Sequence, residues 1–200
     1  MIKKPMRALM PLALILATTL LAIPSVEAQD LHPSRRPSPM AIARITLGDT
    51  YVRVVYSRPY QRGRDNIFGS EESEALVPFG KIWRTGANEA TEITLTGDLL
   101  IDGQRLPAGT YSIFTTPGPE EWSVHFNSAL GLSGAGIFAD GQFTPADLPA
   151  TDVLVVSVMV GEPEEDVDQF TISFAGVEGG AQLIFAWANT QAVVPIALAG

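Results

Sequence analysis

Between positions 56 and 89 the chain gathers Arg58, Arg62, Arg64, Lys81 and Arg84, interleaved with Tyr56, Tyr60, Phe68, Phe79 and Trp83 and followed by Thr85, Asn88 and Glu89. A guanidinium forks onto carboxylate, sulfate or phosphate, and an aromatic ring beside it can stack a planar group or a sugar. The chemistry expected here is recognition of an anionic small molecule, glycan or peptide end. The candidate binding residues are Arg58, Arg62, Arg64, Trp83, Arg84, Thr85, Asn88 and Glu89. A purely structural use competes with this reading: Arg84 pairs with Glu89, Gly86 forms a left-handed turn and Asn88 caps it. A catalytic use would make the protein a hydrolase, with Glu89 as general acid or base and Arg84 and Arg64 stabilising developing negative charge. Glycoside hydrolysis would need a second carboxylate facing the same bond. The nearest, Glu92, falls on a strand face with Thr94 and Thr96 and makes a poor partner.

Other constellations are thin, and no catalytic residue is assigned. Of two histidines, His32 precedes the folded region, which leaves His125 as the one base available to a nucleophile relay. Strand alternation puts His125 on the outer face beside Ser123, so it reads as a half-exposed strand histidine. With no cysteine and no histidine pair at ligand spacing, any metal would have only oxygen ligands. The acids Glu162, Glu164, Glu165, Asp166 and Asp168 lack the alternating ligands and glycine of a calcium loop and read as an acidic hairpin loop. Glycines 131–136 have neither a phosphate-loop lysine nor a helix after them. No cofactor and no metal are expected.

Short strands must position these groups. Residues 42–47, 51–56, 92–96, 99–102, 110–115, 122–127, 153–160, 170–174 and 182–187 are rich in β-branched and aromatic types, and turn pairs such as Gly48-Asp49, Asp102-Gly103 and Gly179-Gly180 separate them. No stretch after the N-terminus keeps a helical period. The fold expected is all-β, a single antiparallel β-sandwich of about nine strands, jelly-roll or immunoglobulin-like. Alternation places Trp122, Val124 and Phe126 together, as it does Phe170, Ile172 and Phe174, and Leu183, Phe185 and Trp187. These rows are the expected core.

At the N-terminus, Lys3, Lys4 and Arg7 precede an apolar run at 8–22, and Val26-Glu27-Ala28 supplies a small-x-small cleavage site. The apolar run is shorter than the roughly 20 residues a spanning helix needs. The expected organisation is a signal peptide at 1–28, an extended Pro/Arg linker at 29–40 and one domain at 41–198, in a protein that is periplasmic or extracellular after cleavage near Ala28. Stable insertion into a membrane is not expected. The formal charge is −9, and loss of the first 28 residues would move it to −11. From Leu106 onward there is no lysine or arginine. Nucleic acid is excluded as a partner, because its affinity is built from many cation contacts to phosphates.

The phrases SRP at 57–59, Gly63-Arg64, WRTGANEAT at 83–91 and LPAGTY at 106–111 follow one another in an order that resembles a widespread bacterial secreted family known only as a domain of unknown function, DUF2911. The resemblance runs from about 38 to 196 and implies no activity. The chain departs from the family pattern in the acidic insert SEESEA at 70–75 and after Asn127, where an aromatic-rich stretch is missing.

Overall fold

Alternating β-branched and polar residues, punctuated by tight turns, fold this chain as strands. The computed structural model describes residues 35–139 and 141–200, so the predicted signal peptide and the predicted linker as far as residue 34 lie outside the described residues. In chain order the strands are β1 (Met40–Leu47), β2 (Thr50–Ser57), β3 (Phe68–Gly69), β4 (Val77–Pro78), β5 (Thr91–Leu95), β6 (Leu99–Ile101), β7 (Gln104–Leu106), β8 (Gly109–Thr116) and β9 (Glu121–Asn127). They continue with β10 (Gly136–Ala139), β11 (Gln142–Pro145), β12 (Asp152–Gly161), β13 (Val167–Val177), β14 (Gly180–Ala188) and β15 (Thr190–Leu198). One helical turn, α1 (Leu148–Thr151), precedes β12. Among the described residues no helix is long and apolar enough to cross a membrane.

The principal sheet runs β1-β2-β5-β8-β9-β12-β15-β14-β13, with β6 and β7 attached beside β15. Its pairings are antiparallel, and two-residue turns set several registers. Between β6 and β7, Asp102 and Gly103 both have positive φ, the mirror-image turn that matches strand twist. β12 changes neighbours along its length: residues 152–159 pair with β9, and Val160 and Gly161 pair with β15. The two halves of the sheet meet across one core, in which Val52, Val54, Ile93, Trp122 and Phe126 from one half pack with Leu183, Phe185 and Trp187 from the other. The expected aromatic rows are all inward-facing.

The nine strands read from the sequence correspond to β1, β2, β5, β6, β8, β9, β12, β13 and β14. β15 was not anticipated, because Pro195 interrupts its apolar run and proline has no N–H for a ladder. The register explains the tolerance. Within a strand the nitrogen and carbonyl of one residue point to the same side, and the Pro195 carbonyl accepts from the Asp102 N–H just beyond the end of the β6 ladder. Pro195 therefore leaves the β14 ladder intact. The acidic run at 162–166 is not a hairpin loop. The strands it joins do not pair with each other, since β12 lies against β9 and β15 while β13 lies against β14. A second, small cluster of Ala90, Phe114, Leu132 and Leu148 covers the outer face of the sheet under residues 129–148.

The free edge of β13 is closed by the segment that follows β2. Pro59 and Asp168 carbonyls accept from the N–H groups of Phe170 and Gln61, and Tyr60 bridges to Gln169. Within this seam the buried Tyr56 hydroxyl accepts from the Ile172 N–H at 3.0 Å and donates to the Ile172 carbonyl at 3.1 Å. Burial raises the phenol above its ordinary value, against the hydrogen bond to Ile172 and the charge of Arg58, so it keeps the proton it donates. Tyr56→Phe would leave a buried N–H and a buried carbonyl without partners. The expected loss is about 1 to 3 kcal/mol in urea unfolding, and an unchanged midpoint would show that the seam does not depend on the hydroxyl.

Candidate functional site

The segment from Trp83 to Thr91 is a compact turn pinned to the sheet. Trp83 exchanges both backbone hydrogen bonds with Thr115, at 2.7 and 2.9 Å. The Trp83 indole Nε1 donates to the Gly86 carbonyl at 3.0 Å, and the Thr91 hydroxyl donates to the Thr85 carbonyl at 2.6 Å. Thr85, Gly86 and Asn88 all take positive φ. Thr85 is fully buried, with its hydroxyl 3.2 Å from that of Thr115. Asn88 donates to the Ser38 carbonyl at 3.0 Å. Trp83 also stands in an aromatic cluster, stacked on Trp187 at 5.9 Å and set edge-on to Phe68, Trp122 and Phe170.

The turn separates two clefts. One, of about 300 Å³, is lined by Pro59, Leu76, Val77, Trp83, Arg84, Gly86, Ala87 and Trp187. The other, of about 210 Å³, is bordered by Tyr56, Ser57, Glu89 and Glu92 among others. Of the eight candidate residues, Trp83 and Arg84 line the larger cleft and Glu89 lines the smaller. Thr85 and Asn88 hold the turn between them.

The remaining arginines are committed elsewhere. Arg58 donates to the Phe170 carbonyl at 3.0 Å and to the Thr171 hydroxyl at 2.7 Å, so it fastens the β13 seam. Arg62 donates to the Pro37 carbonyl and Arg64 to that of Tyr60, although the buried Arg64 Nε, like that of Arg84, has no partner. Neither contact borders either cleft.

Arg84 and Glu89 are not hydrogen-bonded partners. Both Glu89 carboxylate oxygens receive Arg36 Nη1 at 2.7 Å. Burial alone would raise the Glu89 carboxyl, but the Arg36 hydrogen bonds, its own backbone and the charges of Arg36 and Arg84 hold it below the usual carboxylate range. Residues 36–39, read from the sequence as linker, lie against this turn: Pro39 accepts from the Arg58 N–H, and Arg36, Pro37 and Ser38 make the contacts described above.

The Arg84 guanidinium has no hydrogen bond or ion pair to any described residue, and its buried Nε is without a partner. Burial lowers its pKa from the ordinary arginine value, and the charge of Glu89 opposes that shift. Gly134 leaves room for it, because a Cβ there would stand 3.1 Å from Nη1. The sequence pointed to Arg84 and Trp83 but read Trp187 only as core. Trp187 is 1% exposed, and its Nε1 is a second buried donor without a partner on a residue lining the same cleft. Alternation along β14 had already placed the Trp187 ring inward. The nearness of residues 83–87 to that ring arises only when the sheet folds over.

Against known families, a model described as a protein of unknown function, DUF2911, matches residues 38–196. No curated protein and no solved structure matches the chain.

Proposed function

The chain belongs to the DUF2911 family, and from that premise and the geometry of the larger cleft we propose that this cleft is a non-catalytic binding site for a small organic carboxylate. The observation that carries this is the unpartnered, half-buried guanidinium of Arg84, a residue that lines a cleft of about 300 Å³. A buried donor without a partner costs about 1 to 3 kcal/mol, and more when it is charged. A ligand oxyanion would pair with the guanidinium through its terminal nitrogens, which are not among the buried atoms. The cleft is at the lower end of ligand-pocket volumes, which suits a small metabolite. Its other lining residues, Pro59, Leu76, Val77, Gly86, Ala87 and two tryptophans, have apolar side chains, although much of the cleft surface is polar. They favour a carboxylate on an aliphatic or aromatic body over a glycan, whose many hydroxyls would need more polar partners.

The hydrolytic alternative draws on the presence of Glu89 and Glu92 along one smaller cleft. It has weaker support. Arg36 holds Glu89 ionised, which suits a general acid poorly near neutral pH, and Arg64 is turned to the Tyr60 carbonyl rather than toward that cleft.

Titrating benzoate, phenylacetate, inorganic phosphate and neutral benzamide into the protein by calorimetry tests the proposal. An aromatic carboxylate should bind, and benzamide and phosphate should bind far more weakly. Arg84→Ala should weaken the carboxylate by roughly ten- to a hundredfold, as loss of a charge-assisted contact predicts. Its melting temperature should stay within a degree or two of wild type, because no protein group loses a partner. No binding by either carboxylate, or equal binding by Arg84→Ala, would sink the reading.

A further inference from the structure

Three neighbouring strands bring together a hydroxyl, an imidazole and a carboxylate on the outer face of the sheet, away from both clefts. Thr116 ends β8, His125 lies in β9 and Asp152 opens β12. His125 Nδ1 is 2.8 Å from Asp152 Oδ2, and His125 Nε2 is 3.2 Å from Thr116 Oγ1. The histidine and aspartate side chains are 15% and 13% exposed, sheltered but open to approach. The carboxylate is fixed from its other side, where Asn127 Nδ2 donates to Oδ1 at 2.8 Å. Asn127 is itself held by the Leu148 carbonyl and the Thr151 hydroxyl.

The arrangement sets the tautomer. An ionised carboxylate only accepts, so the neutral imidazole carries its proton on Nδ1 and turns the Nε2 lone pair to the Thr116 hydroxyl. That is the order of groups by which a hydroxyl is activated as a nucleophile: base within hydrogen-bond reach, and a third group orienting the base. Ser123 pairs directly with Thr116 across the β8–β9 ladder and presents its hydroxyl on the same face. Exposed Val155 stands opposite His125, and exposed Met159 lies further along β12. Together they form an apolar surface beside the hydroxyl.

We propose that Thr116, His125 and Asp152 form a nucleophile relay that hydrolyses small esters with an apolar acyl group. Thr116 Oγ attacks the ester carbonyl carbon while its proton passes to His125 Nε2. The bond from that carbon to the alkoxy oxygen then breaks, and the leaving oxygen takes the proton from Nε2. Water attacks the acyl-threonine, giving a proton to Nε2 that returns to Thr116 Oγ as the acid departs. The sum is ester plus water to acid plus alcohol. Thr116 and His125 act on the reacting atoms, and Asp152 positions the histidine.

The test follows hydrolysis of p-nitrophenyl acetate and butyrate by the wild-type protein and by Thr116→Val, Thr116→Ser and His125→Gln. Thr116→Val keeps side-chain shape and removes only the hydroxyl. It and His125→Gln should each lose about a hundredfold or more of the rate, in line with general-base catalysis. Thr116→Ser should retain activity. Peptide mass mapping during turnover should find the acyl group on Thr116. Wild type no faster than His125→Gln, Thr116→Val as fast as wild type, or an acyl group on another residue would each overturn the relay.

Discussion

Trp187→Ala should lower the stability of the domain by about 3 to 5 kcal/mol, the range for truncating a large buried aromatic. The ring is 1% exposed and meets Phe68 and Phe170 at centroid distances of 6.0 Å, besides its stack on Trp83. These partners come from three separate stretches of chain, so the cavity cannot be refilled by moving one element. For a domain of this size each kcal/mol shifts the melting temperature by roughly 2 to 4 °C, so a drop on the order of 10 °C is expected. Trp187→Phe separates packing from hydrogen bonding. It refills most of the volume and removes an Nε1–H that has no partner, so it should cost less than half as much in urea unfolding. A loss below about 1 kcal/mol in the alanine variant would show that the indole is not central to the core.

How much of this was legible in the sequence depended on whether the determining contact was local. Alternation within β9 placed Trp122, Val124 and Phe126 inward without reference to any other strand, and the structure agrees because face is a property of one strand. The Asp102-Gly103 turn was legible for the same reason. β15 was obscured by Pro195, whose acceptability depends on which side of the strand its nitrogen faces, and that is fixed by β6 and β14. The site divides in the same way. Arginine and aromatic content marked residues 56–89 as the cationic part of the chain, but which arginine donors are taken up is decided by distant groups. Arg58 is taken up by Phe170 and Thr171, more than a hundred positions away, while the buried Nε atoms of Arg64 and Arg84 are left without partners. Glu89 found Arg36 in the segment read as linker. The Thr116, His125 and Asp152 juxtaposition could not be seen either, since it needs the register of β8, β9 and β12 at once.

Gly86→Ala should damage both fold and binding, because the turn that carries Trp83 and Arg84 is built around that residue. Its φ of 152° lies in a region that side-chain-bearing residues rarely adopt, at a cost of about 1 to 3 kcal/mol. Steric conflict adds to this. A Cβ at Gly86 would stand 2.8 Å from the Ser57 carbonyl oxygen and 3.3 Å from the Thr91 hydroxyl oxygen, and the first of these is backbone that cannot rotate away. Relief requires the turn to lift from β2, which strains the Ala87 N–H bond to Ser57 and the Trp83 indole bond to Gly86. Since Gly86 and Ala87 also line the larger cleft, the same displacement alters a wall of the proposed carboxylate site. A total loss of about 2 to 4 kcal/mol is expected in urea unfolding, with aromatic carboxylate affinity reduced at temperatures where the variant remains folded. Gly134→Ala is the comparison. A Cβ there would meet the guanidinium of Arg84 rather than backbone, so binding should fall through displacement of Arg84 while the turn itself keeps its geometry. If Gly86→Ala melted like wild type and bound carboxylate equally well, the turn would not be the element that positions the site.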